Sequence, residues 1–184
     1  MKTVQPIRDL KKIRSMKTLL MARNPKYAMM FSFGINSGLR VSDILALKVG
    51  TIENKDHITI SEKKTSKQKR FLINKPLQKE ISLYIKEMKL KPHDYLIKSR
   101  QGENCPLSRY QAYRVLNEAA SQLGLESVGT HTMRKTFGYH HYKKYKDVAI
   151  LQNIFNHSAP SITLRYIGIS DDEKDKTMEN FYLS

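Results

Sequence analysis

Six polar side chains spread between residues 40 and 166 have the types and spacing to act on a phosphate ester. Arg40 lies in "SGLRVSD", Lys64 in "EKKTSKQK", His131 and Arg134 in "HTMR", and His157 and Tyr166 in "NHSAPSITLRY". A guanidinium presents a planar fork that grips two oxygens of a phosphate, and Asp43, three residues after Arg40, is placed to fix that fork. Two arginines converging on one phosphate would neutralise the charge of a phosphoryl transition state without a metal. His131 and Arg134, three apart, share a face if a helix begins at Thr130. A lysine from the run at 63, 64, 67 and 69 could protonate a departing oxygen, and Lys64 is the one chosen here. Tyr166 would be the nucleophile. A phenol with a pKa of about 10 is ionised to about one part in a thousand at neutral pH, so it needs a base and a cationic setting, which the histidines and arginines could supply.

Each stretch also has an ordinary structural explanation. Arg40 and Asp43 could simply close a turn as a surface pair worth little. The "HTMR" stretch could be a solvated helix end, and the lysines the solvated tip of a hairpin. Most tyrosines are packing residues with a satisfied hydroxyl. The remaining histidines, His57, His93, His140 and His141, form no convincing metal set, because adjacent histidines on a helix point in different directions and no spaced carboxylate or cysteine accompanies them. There is no GxxxxGK[ST] loop and no GxGxxG turn after a strand. Neither a metal nor a nucleotide cofactor is expected.

The elements that must position these residues are mainly helical. Ile7, Leu10, Ile13 and Met16 recur at helical spacing in a first helix that ends before Asn24. Asn24 and Pro25 read as a cap and first position of a second, largely apolar helix that stops at Gly38. Ser42 is placed to cap a short helix, "DILAL". "HITISEKKTSKQKRFLIN" reads as a hairpin with a basic tip, pairing with a further strand at 49–52. Asn74 and Pro76 open an amphipathic helix with Ile81, Tyr84, Ile85 and Met88 on one face. Ser108 caps the next helix, which Gly124 terminates. Three helices follow in quick succession from residue 130 to 166. Ser170 and Glu173 have the spacing of a capping box, which predicts a final helix carrying Met178, Phe181 and Leu183. The fold class expected is α+β, mainly α-helical, with a small antiparallel three-stranded sheet.

With 184 residues, one domain is the default. The chain has 33 Lys plus Arg against 17 Asp plus Glu, a formal charge of +16, with 40% hydrophobic residues. That describes a folded protein with a field that attracts polyanions. Because the excess runs through the whole chain, nucleic acid is favoured over an anionic membrane surface. The single cysteine, Cys105, excludes an internal disulfide and points to a reducing, cytoplasmic setting. No secretory leader is recognisable at the start, and there is no run of 18 apolar residues.

Taken in order, these stretches resemble the catalytic domain of tyrosine recombinases, the phage integrase family. Its pattern is an arginine in a "TGLRxSE"-like turn, a lysine on a β-hairpin, a HxxR pair, a His or Trp after a "GH"-like turn, and a tyrosine about nine residues later. Arg40, Lys64, His131, Arg134, His157 and Tyr166 match it one by one, over residues 7–170. The sequence departs from it at Thr132 and Lys135, where "HDLRHTF" is frequent, and at Asn156, where glycine is usual. Asparagine is the residue best able to replace glycine at a left-handed helix end, so the turn is expected to survive.

The resemblance implies a tyrosine recombinase catalytic-domain fold and site-specific recombination through a 3′-phosphotyrosyl intermediate. In it Tyr166 attacks, Arg40, Arg134 and His157 hold the non-bridging oxygens, His131 assists proton transfer, and Lys64 protonates the 5′-hydroxyl leaving group. Lys63, Lys67, Lys69 and Lys135 are expected to contact DNA. The partners implied are double-stranded DNA and other protomers in a tetrameric synapse, with Phe181, Tyr182 and Leu183 either docking on a neighbour or packing internally. Family members also carry an N-terminal core-binding domain for which 184 residues leave no room, so a single catalytic domain over 1–184 is expected. The alternatives are a non-catalytic DNA-binding accessory module and a type IB topoisomerase-like relaxing enzyme.

Overall fold

The punctuation around residue 24 sets the geometry of the first two helices. Helix α1 spans Leu10–Arg23 and α2 spans Pro25–Ser37, and Asn24 serves both: its backbone N–H closes α1 on Leu20, and its side chain accepts from the Lys26 N–H to start α2. In this computed structural model residues 4–61, 68–169, 178, 179, 181 and 182 are described. Helix α2 is wrapped by its neighbours, and Met29, Met30, Phe31 and Phe33 are buried together in the main core with Met16 and Leu20 of α1. An almost wholly apolar helix has no other stable place than the interior.

The short helix α3 (Val41–Leu45) follows directly after Gly38 and Leu39. Ser42 is not its cap: the helix starts two residues earlier than expected, with Arg40 at the N-cap and no side-chain cap bond. Then come β1 (His57–Ser61) and β2 (Gln68–Leu72), paired antiparallel with His57 opposite Leu72 and Ser61 opposite Gln68. The sheet has two strands among the described residues, not three. Residues 49–51 curl into a 3₁₀ turn instead, because Thr51 N–H and its hydroxyl both donate to Lys48 O while Ile52 N–H turns back to Val49 O. Those local bonds leave no ladder for the hairpin.

Helix α4 (Lys75–Glu87) opens on Asn74, which accepts from Leu77 N–H, and α5 (Arg109–Gln122) opens on Ser108, which accepts from Gln111 N–H. Both caps are the ones the sequence indicated. Tyr84 of α4 is buried, which pushes its phenol well above the ordinary tyrosine value, and its O–H donates to Leu96 O at 2.9 Å. Helices α6 (Thr132–Tyr145), α7 (Val148–Phe155) and α8 (Pro160–Ile167) complete the described fold. The expected final helix falls largely outside the described residues. Phe181 and Tyr182, which are described, are exposed.

Ile7 is buried as its periodicity suggested, but not in α1. Asp9 caps α1, accepting from Lys11 N–H, so Ile7 lies in an extended lead-in whose N–H donates to Thr136 Oγ1 of α6. The core itself has two parts. Leu151, Phe155, Ile167 and Ile169 form a small cluster apart from the main one, joined by Phe137, Tyr139, Tyr142 and Tyr166. Helices α7 and α8 therefore pack on α6 as a unit. Gly138 permits that approach, since a Cβ there would lie 2.6 Å from Ile167 Cγ2 and 2.7 Å from Phe155.

Gly38 ends α2 at φ +68°, and a Cβ there would stand 2.5 Å from the Phe137 ring. Gly38→Ala is expected to destabilise the domain by about 2–4 kcal/mol, the sum of left-handed strain and overpacking. A thermal melt checks this, and an unchanged midpoint would show that the turn is not held where Phe137 closes on it.

Candidate active site

The site is assembled where the end of α2 meets the start of α6, with the end of α7 and the last turn of α8 packed beside them. Gly38 turns the chain so that Arg40, at the N-cap of α3, projects from an exposed position. Arg40, His131 and Arg134 line one cleft of about 360 Å³ together with Arg109, Tyr110 and Tyr113 of α5. Residues 40, 131 and 134, far apart in sequence, are thus brought to one place.

Arg134 is the keystone. It is only 5% exposed, and its two terminal nitrogens donate to Gly38 O at 2.6 Å and Phe155 O at 3.0 Å, with the guanidinium 4.5 Å from the centre of the Phe155 ring. One side chain thereby ties the turn carrying Arg40 to the helix end carrying His157. Burial, the largest influence, pushes its pKa down from the ordinary arginine value; the nearby Tyr166 opposes this, Arg40 adds to it, and Asp43 opposes it. An arginine nonetheless keeps its charge at any physiological pH.

Asp43 does not hold Arg40. Among the described residues the two form no ion pair, and the Asp43 carboxylate accepts instead from Ser42 Oγ at 3.4 Å. Its effect reaches Arg134 through space.

Tyr166, on α8, sits between the two histidines. His131 Nδ1 lies 3.2 Å from its phenolic oxygen, and the His157 ring meets the phenol edge-on at a centroid separation of 5.0 Å. In the tautomer with a bare Nδ1, His131 accepts the phenolic proton. Burial raises the Tyr166 pKa above the ordinary value, while Arg134 and Arg40 pull it back down. At neutral pH the phenol is therefore protonated and must lose its proton to a base. His131 suits that role. Its pKa is lowered, first by burial and then by Arg134, Lys135 and Arg40, so it is neutral near pH 7.

His157 is presented by the predicted turn. Asn156 takes φ +56°, ψ +47°, the left-handed end of α7, and α8 begins with Pro160 at its first position. His157 Nδ1 is 3.0 Å from Thr163 Oγ1, a completely buried hydroxyl one turn into α8. Thr163 thus orients the imidazole, a role the sequence did not signal, since a threonine on a short helix looks like any other packing residue. Arg109, Tyr110 and Tyr113 were also missed. Their only sign was two tyrosines three apart, exposed on α5, with arginines beside them.

Lys135, expected to touch DNA, is instead buried: its ammonium donates to Val4 O at 2.7 Å and lies 5.0 Å from the centre of the Tyr166 ring. The helix that aims Arg134 into the cleft necessarily turns the next side chain away from it. Lys63, Lys64 and Lys67 fall outside the described residues. Lys69 is in β2, opposite Ile60. Among the described residues no three His, Cys, Asp or Glu side chains gather closely enough to hold a metal ion. Nor is any helix among them long and apolar enough to cross a membrane.

The family model for the phage integrase family matches residues 12–173. The chain belongs to the phage integrase family. "Probable integrase/recombinase YoeC" of Bacillus subtilis (strain 168) is 54% identical to this family member over 172 residues, covering 94% of this chain and 93% of the relative. Tyrosine recombinase XerA of Pyrococcus furiosus is 27% identical over 144 residues, 78% of this chain. The domain spans only 50% of that relative's length. Among solved structures, the Tn1549 transposon integrase in complex with transposon right end DNA superposes with a TM-score of 0.76 at 17% identity, covering 98% of this chain and 67% of that one. The fold of this integrase-family domain is the tyrosine recombinase catalytic-domain fold, mainly helical with its small antiparallel sheet reduced to two described strands.

The neutral histidines give a pH prediction with a definite sign. His131 and His141 both have pKa values depressed by burial, so the unfolded chain binds more protons than the folded one below pH of about 6.5. Their contribution to stability is full above that pH and is lost as pH falls through the folded-state values. Melting midpoints taken from pH 7.5 to 5 should therefore decline, and less steeply in His141→Gln. An equally steep decline in that variant would contradict the assignment.

Proposed function

We propose that this domain cleaves and rejoins DNA strands in site-specific recombination, with Tyr166 as nucleophile. The observation that carries the reading is that Arg40, His131 and Arg134 line one cleft, while the Tyr166 hydroxyl lies 3.2 Å from His131 Nδ1 and the His157 ring packs against Tyr166. The two guanidiniums and the His157 ring hold the non-bridging oxygens of a DNA phosphodiester. Arg134 is already fixed by its two carbonyl partners, so it needs little reorganisation when charge develops on the phosphorus oxygens. The phenolic oxygen attacks phosphorus as its proton passes to His131 Nδ1. The bond to the 5′-oxygen breaks, and Lys64, outside the described residues, protonates that oxygen by the family pattern. The resulting 3′-phosphotyrosyl ester conserves the energy of the broken phosphodiester, so attack by another 5′-hydroxyl reverses the chemistry without ATP.

A duplex also needs a surface. A second hollow of about 770 Å³, which shares Tyr110 with the cleft, is lined by Arg23, Lys26, Arg100 and Arg114. Together with Arg40 and Arg109 these extend one positive region along the start of α5. The Tn1549 transposon integrase, of the same fold, has been solved on DNA, which supports double-stranded DNA as the partner here. Assembly of several protomers on that DNA is proposed on family grounds.

The test is incubation with nicked duplexes of randomised sequence, which trap a covalent adduct by releasing the cleaved end, followed by a denaturing gel. A protein-sized shift in the labelled strand supports the reading, and its absence across the whole pool favours a non-catalytic DNA-binding module. Binding itself should be strongly salt-dependent. Three exposed arginines on phosphates, Arg40, Arg100 and Arg109, give a slope of log affinity against log salt of about −3 or steeper, Arg114 being paired with Glu118. A slope near zero in a filter-binding titration would contradict this surface.

A further inference from the structure

Lys135 lies outside the cleft and belongs to none of the roles above, yet its surroundings are unusual. Its ammonium is buried, and among the described residues no carboxylate lies within ion-pair distance of it. The partners it has are a backbone carbonyl, Val4 O at 2.7 Å, and the face of the Tyr166 ring at 5.0 Å. A carbonyl satisfies one of the three N–H donors without cancelling the charge, so the ammonium keeps its attraction for the face of the ring beside it.

The carbonyl is itself held. The lead-in segment from Val4 to Asp9 runs across α6, with Gln5 N–H donating to Ser127 O at 3.0 Å and Ile7 N–H donating to Thr136 Oγ1 at 2.9 Å. Arg8 of the same segment donates to Gly168 O at 2.7 Å, at the end of the helix that carries Tyr166, and lies over the Tyr139 ring at 5.3 Å. One strap therefore fixes both the lysine against the nucleophile's ring and the end of the nucleophile's helix.

We propose that Lys135, anchored by the Val4 carbonyl, is a positioning residue for Tyr166 that sets the ring's orientation and stabilises the phenolate as its proton leaves for His131. The proposal rests on the reading of Tyr166 as nucleophile. A cation over an aromatic face is attracted by the ring's negative quadrupole, and a phenolate ring carries more negative charge than a phenol, so the interaction strengthens as the O–H bond breaks. The other charged or titratable groups facing Tyr166 are His131 and Arg134 from α6, Arg40 from the turn before α3 and His157 from the turn before α8. Among the described residues Lys135 is the cation that lies over the face of the ring, and it does not line the cleft.

The test compares adduct formation on the randomised nicked duplex pool by the parent, Lys135→Met, Lys135→Gln and Lys135→Arg between pH 6 and 9. Glutamine removes the charge but can still donate to the Val4 carbonyl, so it separates charge from folding. Both neutral variants should be slower by roughly ten-fold at pH 7, with the acid limb of the profile displaced because a cation that depresses His131 is gone, and arginine should restore most of the rate and the parent profile. A neutral variant that is folded and matches the parent in rate and pH profile overturns the proposal. An arginine variant as slow as glutamine overturns it too, because size rather than charge would then matter. Should neither neutral variant fold, Lys135→Arg decides: a parent-like rate and profile support the charge, and a rate below a tenth of the parent's overturns it. No adduct from the parent itself removes the reading of Tyr166 and the proposal with it, whereas a parent adduct with unchanged variants removes the proposal alone.

Discussion

Arg134→Ala is expected to lose adduct formation by at least 10²–10³-fold and, unlike a change at Arg40, to lower stability as well. The chemical loss is that of one fixed donor to a charged transition state. The structural loss arises because Gly38 O and Phe155 O, buried around the guanidinium, would be left without donors. Each unsatisfied carbonyl costs about 1–3 kcal/mol, less the desolvation the arginine no longer incurs, for a net of about 2–4 kcal/mol. In a domain of this size that lowers the melting midpoint by roughly 10 °C. Arg40→Ala makes the contrast. Arg40 is exposed and holds no backbone carbonyl, so its loss should leave stability within about 0.5 kcal/mol while removing activity to a similar degree. Lysine is not expected to rescue position 134, because a single ammonium cannot reach two carbonyls on different helices and a phosphate together. Equal melting midpoints for the two alanine variants would show that Arg134 does not tie the turn to α7.

Tyr166→Phe carries the other large effect. The ring's contacts with Phe155 and His157 remain, at centroid separations of 5.4 and 5.0 Å, and the hydroxyl's 3.2 Å contact with His131 and its interaction with Arg134 are lost. Stability should fall by no more than about 1.5 kcal/mol, and DNA binding and its salt slope should be unchanged. Covalent chemistry has no replacement oxygen in this position, so the adduct should fall by at least ~10⁴-fold. Loss of DNA affinity in this variant would instead make Tyr166 a binding residue.

The parts of the fold that the sequence disclosed are those written in local chemistry. Asn24, Asn74 and Ser108 announce their helices because a short polar side chain before an apolar run satisfies free N–H groups. Asn156 could be assigned its left-handed turn because few other residues tolerate that conformation. The candidate site was legible as an ordered set of residue types, since the chemistry demands particular groups whatever their packing. What stayed hidden was decided across the chain. Whether residues 49–51 form a strand or a turn depends on Thr51 finding Lys48 O, and Pro92 and Asp94 occupying the N–H groups of Gly50 and Val49. Asp43 looked like the partner of Arg40 because both lie on one short turn, but spacing of three says nothing about side-chain direction at a helix start. Lys135 looked like a DNA contact because charge is ordinarily at the surface. Only the tertiary path of residues 4–9 supplies the carbonyl that lets a lysine stay buried.

The central claim is that Tyr166, and no other oxygen, joins to the DNA phosphate. The direct measurement is mass spectrometry of the protease-digested adduct from a nicked duplex, with the residual nucleotide located by fragmentation. The account predicts a nucleotide mass on Tyr166 within residues 157–168. A nucleotide on any other tyrosine or serine, formed equally well by Tyr166→Phe, would contradict it.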